Sequence, residues 1–404
     1  MAQVYRARWL IPAEGPILED AALVAEGGHI VRLGPWSSLK AHVGPGDAVE
    51  HFPDAALLPG FVNAHTHLSL SDMRGKFRPT KHFASWLVKL AGRRVLRSEA
   101  QMREAIRHGA AESLAAGTVA GADLTSEGHL DDLLGRDGAR WTVFGEMFLY
   151  GEKGLARLQS AVEAMTLLAR AAPVRVGLSP HTPYTVGLDT FMAARREADA
   201  RGWPLSTHLH ETLGEIAFVE RGEGSLHMWM KRLHILPRKW KPPGVRPIRM
   251  LADAGFFSGP VLVAHANYLT DDEIAILAAS GSSVAFCPRS HAFFKHADHP
   301  WRRLLAAGVN VCLGTDSLAS CPSLSVLDEA KFLFAQGGAE PQLLLAMATR
   351  RGARALGLEN VTGDLREGLA AEFCLLETAA GTREPLAAIL AGQAGPLRLV
   401  VPQD

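Results

Sequence analysis

Two histidines one residue apart, His65 and His67, close the apolar run Leu58-Pro59-Gly60-Phe61-Val62-Asn63-Ala64. In an extended strand, side chains i and i+2 project from one face, so both imidazoles can reach a single point beyond the strand end. Neutral imidazoles converging in this way suit a borderline divalent metal such as zinc. Alone, the pair is equally consistent with polar residues leaving a strand. Three further apolar runs supply partners. Trp203-Pro204-Leu205-Ser206-Thr207 ends at His208, with Glu211 three residues on. Pro260-Val261-Leu262-Val263-Ala264 ends at His265, and Val309-Asn310-Val311-Cys312-Leu313-Gly314-Thr315 ends at Asp316. Four widely spaced strand-like runs that each finish on a metal-competent or acid–base residue are hard to explain as core packing.

The elements that must position these residues follow from hydrophobic periodicity. Residues 1–57 read as short strands over Val4–Leu10, Ala21–Ala25 and His29–Leu33, with Gly27-Gly28 as a hairpin turn. Strand-like runs return after Leu358, at Glu372–Leu376 and Leu397–Val401. Between the two ends, helical and strand-like patterns alternate, as a parallel barrel requires. Ala100–Ala116 predicts a helix ending at Gly117, followed by a strand at Thr118–Ala122. Gly154–Ala171 predicts a second helix, followed by a strand at Val174–Leu178. A third helix opens at Asp271–Ala279, where Asp271, Asp272 and Glu273 are favourable near its N-terminus.

Composition bounds the answer. A chain of 404 residues holds one barrel of about 250 to 300 residues with a small accessory domain. Its 42 basic and 42 acidic residues give no global attraction to nucleic acid or to a membrane surface. No run approaches the ~18 apolar residues of a membrane-spanning helix, and the start lacks the apolar core of a signal peptide. Cys287, Cys312, Cys321 and Cys374 have no metal-finger or redox spacing and read as reduced thiols of a cytoplasmic protein.

The chain resembles the amidohydrolase superfamily of metal-dependent (β/α)8 barrels, in the branch of cytosine, guanine and S-adenosylhomocysteine deaminases and related chlorohydrolases. The resemblance is carried by Leu58–His67, Thr207–Glu211, Ala264–Asn267 and Gly314–Ser317, with Ser179-Pro180-His181-Thr182-Pro183-Tyr184 and Gly363-Asp364-Leu365-Arg366-Glu367-Gly368 in the same order as in the family. It implies an α/β fold: a TIM-type barrel over residues 58–355 beside a small β-sandwich formed by residues 1–57 and 356–404. It also implies one divalent metal on His65, His67, His208 and Asp316, with Glu211 and His265 lining the same pocket. Zinc is the favoured ion, and the same ligands accept iron or manganese. Binuclear relatives add a carboxylated lysine after the fourth strand, where this chain has Leu178-Ser179-Pro180-His181. Glu146, near the third strand, ligates metal in some relatives; here it is read as a buried structural acid.

The chemistry expected of such a set is hydrolytic deamination. A metal bound by three imidazoles and a carboxylate lowers the pKa of water from near 16 toward ~7, so that hydroxide is available at neutral pH. Attack on an aminated ring carbon is productive only if the adjacent ring nitrogen gains a proton. Glu211 is the candidate donor, Asp316 the acceptor of the water proton, and His265 the orienting group. A surface acid opening a helix is the plain alternative for Glu211. His181 resembles a histidine that contacts base or sugar in the nucleoside-deaminating branch.

Phe83-Ala84-Ser85-Trp86-Leu87 and the pair Arg93-Arg94 follow the first strand, where S-adenosylhomocysteine and methylthioadenosine deaminases carry a ribose-binding glutamate. An arginine there suits a carboxylate, as in 6-aminodeoxyfutalosine deaminases of menaquinone biosynthesis, whose substrate joins adenine to benzoate. A solvated helix face is the alternative. After the seventh strand, related deaminases have Cys-Pro-x-Ser-Asn, and this chain has Cys287-Pro288-Arg289-Ser290-His291. Arg289 and His291 either face the substrate or hold the loop. The basic stretch Ser225–Ala252 reads as a lid or an oligomer contact ahead of a nucleic-acid patch. The partners implied are a small-molecule substrate and further copies of the chain, without nucleic acid or membrane. Other classes remain: a dechlorinating or amide-cleaving hydrolase, and a barrel scaffold without activity, against which the full ligand set weighs.

Overall fold

A computed structural model of the chain describes residues 2–126, 134–135 and 138–401. The chain begins with β1 (Gln3–Leu10), β2 (Leu18–Glu26) and β3 (His29–Pro35), and then β4 (Ala48–Pro59). The turn between β2 and β3 is made by Gly27 and Gly28, with φ of 52° and 71°, the left-handed pair that a tight hairpin demands. Strand β4 lies parallel to β1 and leads through Gly60 into the barrel.

Eight short strands follow: β5 (Phe61–Thr66), β6 (Thr118–Thr125), β7 (Arg140–Met147), β8 (Arg175–Pro180), β9 (Ser206–Leu209), β10 (Leu262–His265), β11 (Ser283–Phe286) and β12 (Asn310–Leu313). They pair in parallel as two runs of four, β5 to β8 and β9 to β12, in sequence order. Parallel bridges Leu178↔Leu205 and Thr66↔Asp316 join the runs at both seams, so the eight strands close on themselves. Strands covered on both faces read as continuous apolar runs rather than as alternation. Every residue of β6, β9, β10, β11 and β12 is buried accordingly. The chain ends in β13 (Phe373–Glu377) and β14 (Leu397–Val400). Strand β13 pairs antiparallel with β4, so both chain ends share one six-stranded sheet, ordered β14-β13-β4-β1-β2-β3. Tyr5, Leu23, Leu57 and Phe373 form its core.

Helix ends show the same agreement of local chemistry with fold. Ser98 and Gln101 make a capping box at the start of the helix Glu99–Ala115, and Thr270 and Glu273 make another for Asp271–Ala279. Strand β6 runs three residues beyond the expected Ala122, because Asp123 is buried inside it and accepts the Leu68 N–H at 2.6 Å. Polar character there marks a side chain with an internal partner, not a strand end. The stretch Ser225–Ala252 carries the helices Gly224–Arg232 and Pro247–Asp253, the first packed against the helix Phe83–Val95. Its Trp240 lies 4.7 Å from the Phe218 ring, an internal contact. Among the described residues, no helix is long and apolar enough to cross a membrane.

The closing seam is tight. Thr315 and Asp316 both donate their N–H to the His65 carbonyl at 3.0 Å. A Cβ on Gly314 would stand 2.7 Å from the His65 Cβ, so only glycine lets the strands approach. Gly314→Ala is expected to destabilise the fold by about 1–3 kcal/mol through overpacking and to lower bound metal. A denaturant midpoint and metal analysis check both.

Candidate active site

The strand ends deliver the chemistry to one end of the barrel. His65 lies in β5 and His67 just past it; Glu146 is the penultimate residue of β7, and His181 follows β8. His208 is in β9, Glu211 two residues beyond it, His265 closes β10, and Asp316 follows β12. His265 and Asp316 have φ of 69° and 59°, a left-handed conformation that L residues rarely adopt and that turns each side chain out of strand direction.

His65, His67 and His208 each offer a nitrogen within 4.8 Å of the other two. The Nε2 atoms of His67 and His208 are 3.3 Å apart. Asp316 Oδ1 lies 3.9 Å from His65 Nε2 and 3.8 Å from His67 Nε2. The surroundings fix which atoms are free to ligate. His67 donates Nδ1–H to the Leu124 carbonyl at 3.0 Å, which leaves the Nε2 lone pair facing the site. His208 presents Nδ1 to Glu146 Oε1 at 3.8 Å, so its Nε2 turns inward. Asp316 Oδ2 accepts from Ser290 Oγ at 2.6 Å and Ser320 Oγ at 2.7 Å, and Oδ1 is left for the site.

Burial holds His65 and His208 well below the usual imidazole range, with neighbouring histidines adding to the effect. Both rings are therefore neutral donors. The His65 ring nitrogens are buried without a hydrogen-bond partner among the described residues. Two facing lone pairs, a third buried nitrogen and a carboxylate oxygen are satisfied together by one cation. The residues present fit a divalent metal.

Glu211 and His265 stand beside this set, with His265 Nε2 3.8 Å from Glu211 Oε1. Burial, then Asp316 and Glu215, push the Glu211 carboxyl well above its ordinary range. Burial lowers His265 to about 4 against the opposing pull of Asp316. The cavity they share is about 140 Å³. Phe83, Trp86, Leu87, Leu90 and Phe148 make its apolar wall, and His181 and Arg94 also line it. His181 engages Thr185 Oγ1 through Nδ1 at 2.8 Å and lies against the Phe148 ring at 4.6 Å.

Three other expected site residues are placed elsewhere. Arg93 and Arg94 are ~100° apart around their helix, so they cannot share a face. Arg94 reaches the cavity and bonds Ser126, whereas the Arg93 guanidinium lies over the Phe77 ring at 5.7 Å in a separate depression. Arg289 holds its loop: it pairs with the buried Glu329 at 2.8 Å and donates to the Ser323 and Ser325 carbonyls at 2.9 and 3.0 Å. His291 is not among the residues lining the cavity; it lies 5.3 Å from the His296 ring and 5.6 Å from Phe286, and burial lowers it to about 4. Ser290 and Ser320 were not singled out from sequence as partners of Asp316. The only signal was Ser290 within Cys-Pro-Arg-Ser, and nothing local marks Ser320.

Three imidazoles and a carboxylate at the C-terminal end of a closed parallel barrel, with a buried acid alongside, define a metal-dependent hydrolase. The chain belongs to the amidohydrolase family, whose model matches residues 56–399. It is 30% identical over 385 residues to the 5-methylthioadenosine/S-adenosylhomocysteine deaminase of Moorella thermoacetica, covering 91% of this chain and 84% of that one. It is 31% identical over 326 residues to the aminodeoxyfutalosine deaminase of Deinococcus radiodurans, covering 77% and 75%. In fold it is similar to Helicobacter pylori aminofutalosine deaminase in complex with methylthio-coformycin, with a TM-score of 0.86 at 23% identity over 99% of this chain and 98% of that one. A zinc-bound adenosine deaminase from Xanthomonas campestris superposes with a TM-score of 0.80 at 24% identity, over 99% and 91%.

Removing both hydroxyls from Asp316, as Ser290→Ala with Ser320→Ala, is expected to weaken zinc binding about 10- to 100-fold. Competition against a chelator measures it, and unchanged affinity would refute the assigned role.

Proposed function

We propose that this protein hydrolytically deaminates an aminated purine nucleoside derivative, with 6-aminodeoxyfutalosine the favoured substrate. The observation that carries the reaction is the placing of Glu211: a buried carboxyl, pushed well above its ordinary range by burial, beside three imidazoles and Asp316 and lining an apolar slot. Hydrolysis of an acyclic amide has no use for an acid aimed at a ring nitrogen; attack on an aromatic ring carbon requires one.

His65, His67, His208 and Asp316 would hold a divalent metal, zinc by preference, which when bound would acidify water and so supply a nucleophile at neutral pH. Phe83, Trp86 and Phe148 hold a flat ring and exclude bulk water. Glu211 gives its proton to the ring nitrogen next to the attacked carbon and later carries a proton to the departing amine. Asp316 Oδ1, with Oδ2 saturated by two serines, takes the proton from water. Neutral His265, 3.8 Å from Glu211, orients the oxygen. His181, with Nδ1–H engaged by Thr185, offers Nε2 as an acceptor to a base or sugar donor.

The substrate choice rests on Arg94. It lines the cavity two helical turns from Trp86, ~12 Å along the axis, a spacing suited to a carboxylate borne well away from the purine. The relation to the aminodeoxyfutalosine deaminase of Deinococcus radiodurans supports the same choice.

Ammonia release from zinc-loaded protein is measured against 6-aminodeoxyfutalosine, S-adenosylhomocysteine, adenosine, guanine and cytosine. Selective turnover of the first is expected, and silence across the panel overturns deamination in favour of dechlorination or amide hydrolysis. Glu211→Gln is expected to abolish ammonia release while zinc stays bound; full activity sinks the proton-transfer role. Arg94→Ala is expected to raise KM for the carboxylate substrate about 10- to 100-fold, the loss of one hydrogen bond to a charged group. Arg93→Ala is expected to leave KM unchanged, and equal kinetics in both variants removes the anchor.

A further inference from the structure

Glu211 is not on a strand. It sits in the turn that leaves β9, and its neighbour His210 has φ of 54°, in the left-handed region. Such a turn does not hold its shape by local preference, so something must fix it. The two consecutive N–H groups of the turn both point at one side chain. Glu215 Oε1 accepts from the His210 N–H at 2.9 Å and Oε2 from the Glu211 N–H at 3.0 Å. Glu215 is fully buried and lies outside the cavity lining.

Its own position is set by the helix Leu213–Arg221, in which it is the third residue. Thr212 Oγ1 caps that helix by accepting the Glu215 N–H at 3.0 Å. A glutamate at this place ordinarily returns to the N–H of the cap residue. Here it reaches one and two residues further back, to Glu211 and His210.

The carbonyl side of the turn is tied from β10. Asn267 donates its N–H to the His210 carbonyl at 3.0 Å and Nδ2–H to the Glu211 carbonyl at 2.8 Å. Ala266 donates to the Leu209 carbonyl at 3.0 Å. Asn267 therefore holds the carbonyls of residues 210 and 211, and Glu215 holds their amides.

We infer that Glu215 is a positioning residue for the proton-transferring carboxyl: by accepting both turn amides with its two oxygens it sets the backbone from which Glu211 reaches the cavity. This rests on the proton-transfer role proposed above for Glu211. The need for two acceptor oxygens is specific. Glutamine has the same shape but turns an NH2 group toward one of the two amides, donor against donor.

The test is Glu215→Gln in the zinc-loaded full chain, with the crystal structure, zinc content, melting temperature and steady-state kinetics on the turned-over panel substrate. The expected result is a kcat 10- to 100-fold lower at an unchanged KM and full zinc content. The 210–211 turn is displaced and the Glu211 carboxyl moved from its wild-type place. A merely structural role lowers the melting temperature but leaves kcat per bound zinc and the position of Glu211 as in wild type, and that outcome overturns the inference. Wild-type protein silent on the panel defeats the deaminase reading alone; the turn in the crystal structures of the two proteins still decides the role of Glu215. If Gln folds poorly, Glu215→Asp is measured instead. It keeps two acceptor oxygens but is one methylene shorter, and the same displacement and kcat loss are expected.

Discussion

The site depends on how the barrel closes. One carbonyl, that of His65, accepts the N–H of both Thr315 and Asp316, and the Thr66 hydroxyl donates back to the Asp316 carbonyl across 250 positions of sequence. That seam joins the first strand to the last and sets Asp316 Oδ1 against the imidazoles of His65 and His67. Buried backbone groups must be paired, so a barrel that failed to close would leave a row of amides and carbonyls unsatisfied. The closing seam places Asp316 Oδ1 3.9 Å from His65 Nε2 and 3.8 Å from His67 Nε2.

Burial then sets the protonation states. In a cavity that excludes water, an imidazolium is disfavoured and so is a lone carboxylate. His65 and His208 are held well below the usual imidazole range, as suits metal donors, and the Glu211 carboxyl is pushed well above its own. Asp316 has other surroundings: two serine hydroxyls donate to one of its oxygens. The two carboxyl groups differ in their surroundings, one beside apolar walls and the other hydrogen-bonded to hydroxyls. Phe83, Trp86 and Phe148 form the apolar half of the same cavity.

The left-handed residues His210, His265 and Asp316 belong to the same logic. Each lies where a strand gives way to the loop that aims a functional side chain. Their backbone is held from outside the turn: by Glu215 and Asn267 at His210, by the His299 ring on the His265 carbonyl at 2.6 Å, and by the His65 carbonyl at Asp316. Strain of about 1–3 kcal/mol at such a position persists only where neighbours over-determine it. The small sheet built from both chain ends closes the architecture at β4, which runs from that sheet directly into β5 and the first two histidines.

What the sequence determined by itself is what local chemistry and period carry. Apolar runs ending in His67, His208, His265 and Asp316 place four functional groups at strand ends, because strand geometry puts alternate side chains on one face and barrel strands end at a common rim. The helix expected from Ala100 starts at Glu99, and the one expected from Asp271 starts there, both with capping boxes that the folded chain forms. Tertiary structure alone decided which of two adjacent arginines reaches the cavity, since that depends on helix rotation and not on residue type. It also turned Arg289 and His291 from candidate substrate contacts into packing groups, because Glu329 and the His296 ring are their neighbours only in the folded chain. Ser320 on Asp316 and Glu215 on the 210–211 turn were invisible beforehand for the same reason. A hydrogen-bond partner is defined by a distance in space, and a serine or glutamate that makes one looks, in a sequence, like any other.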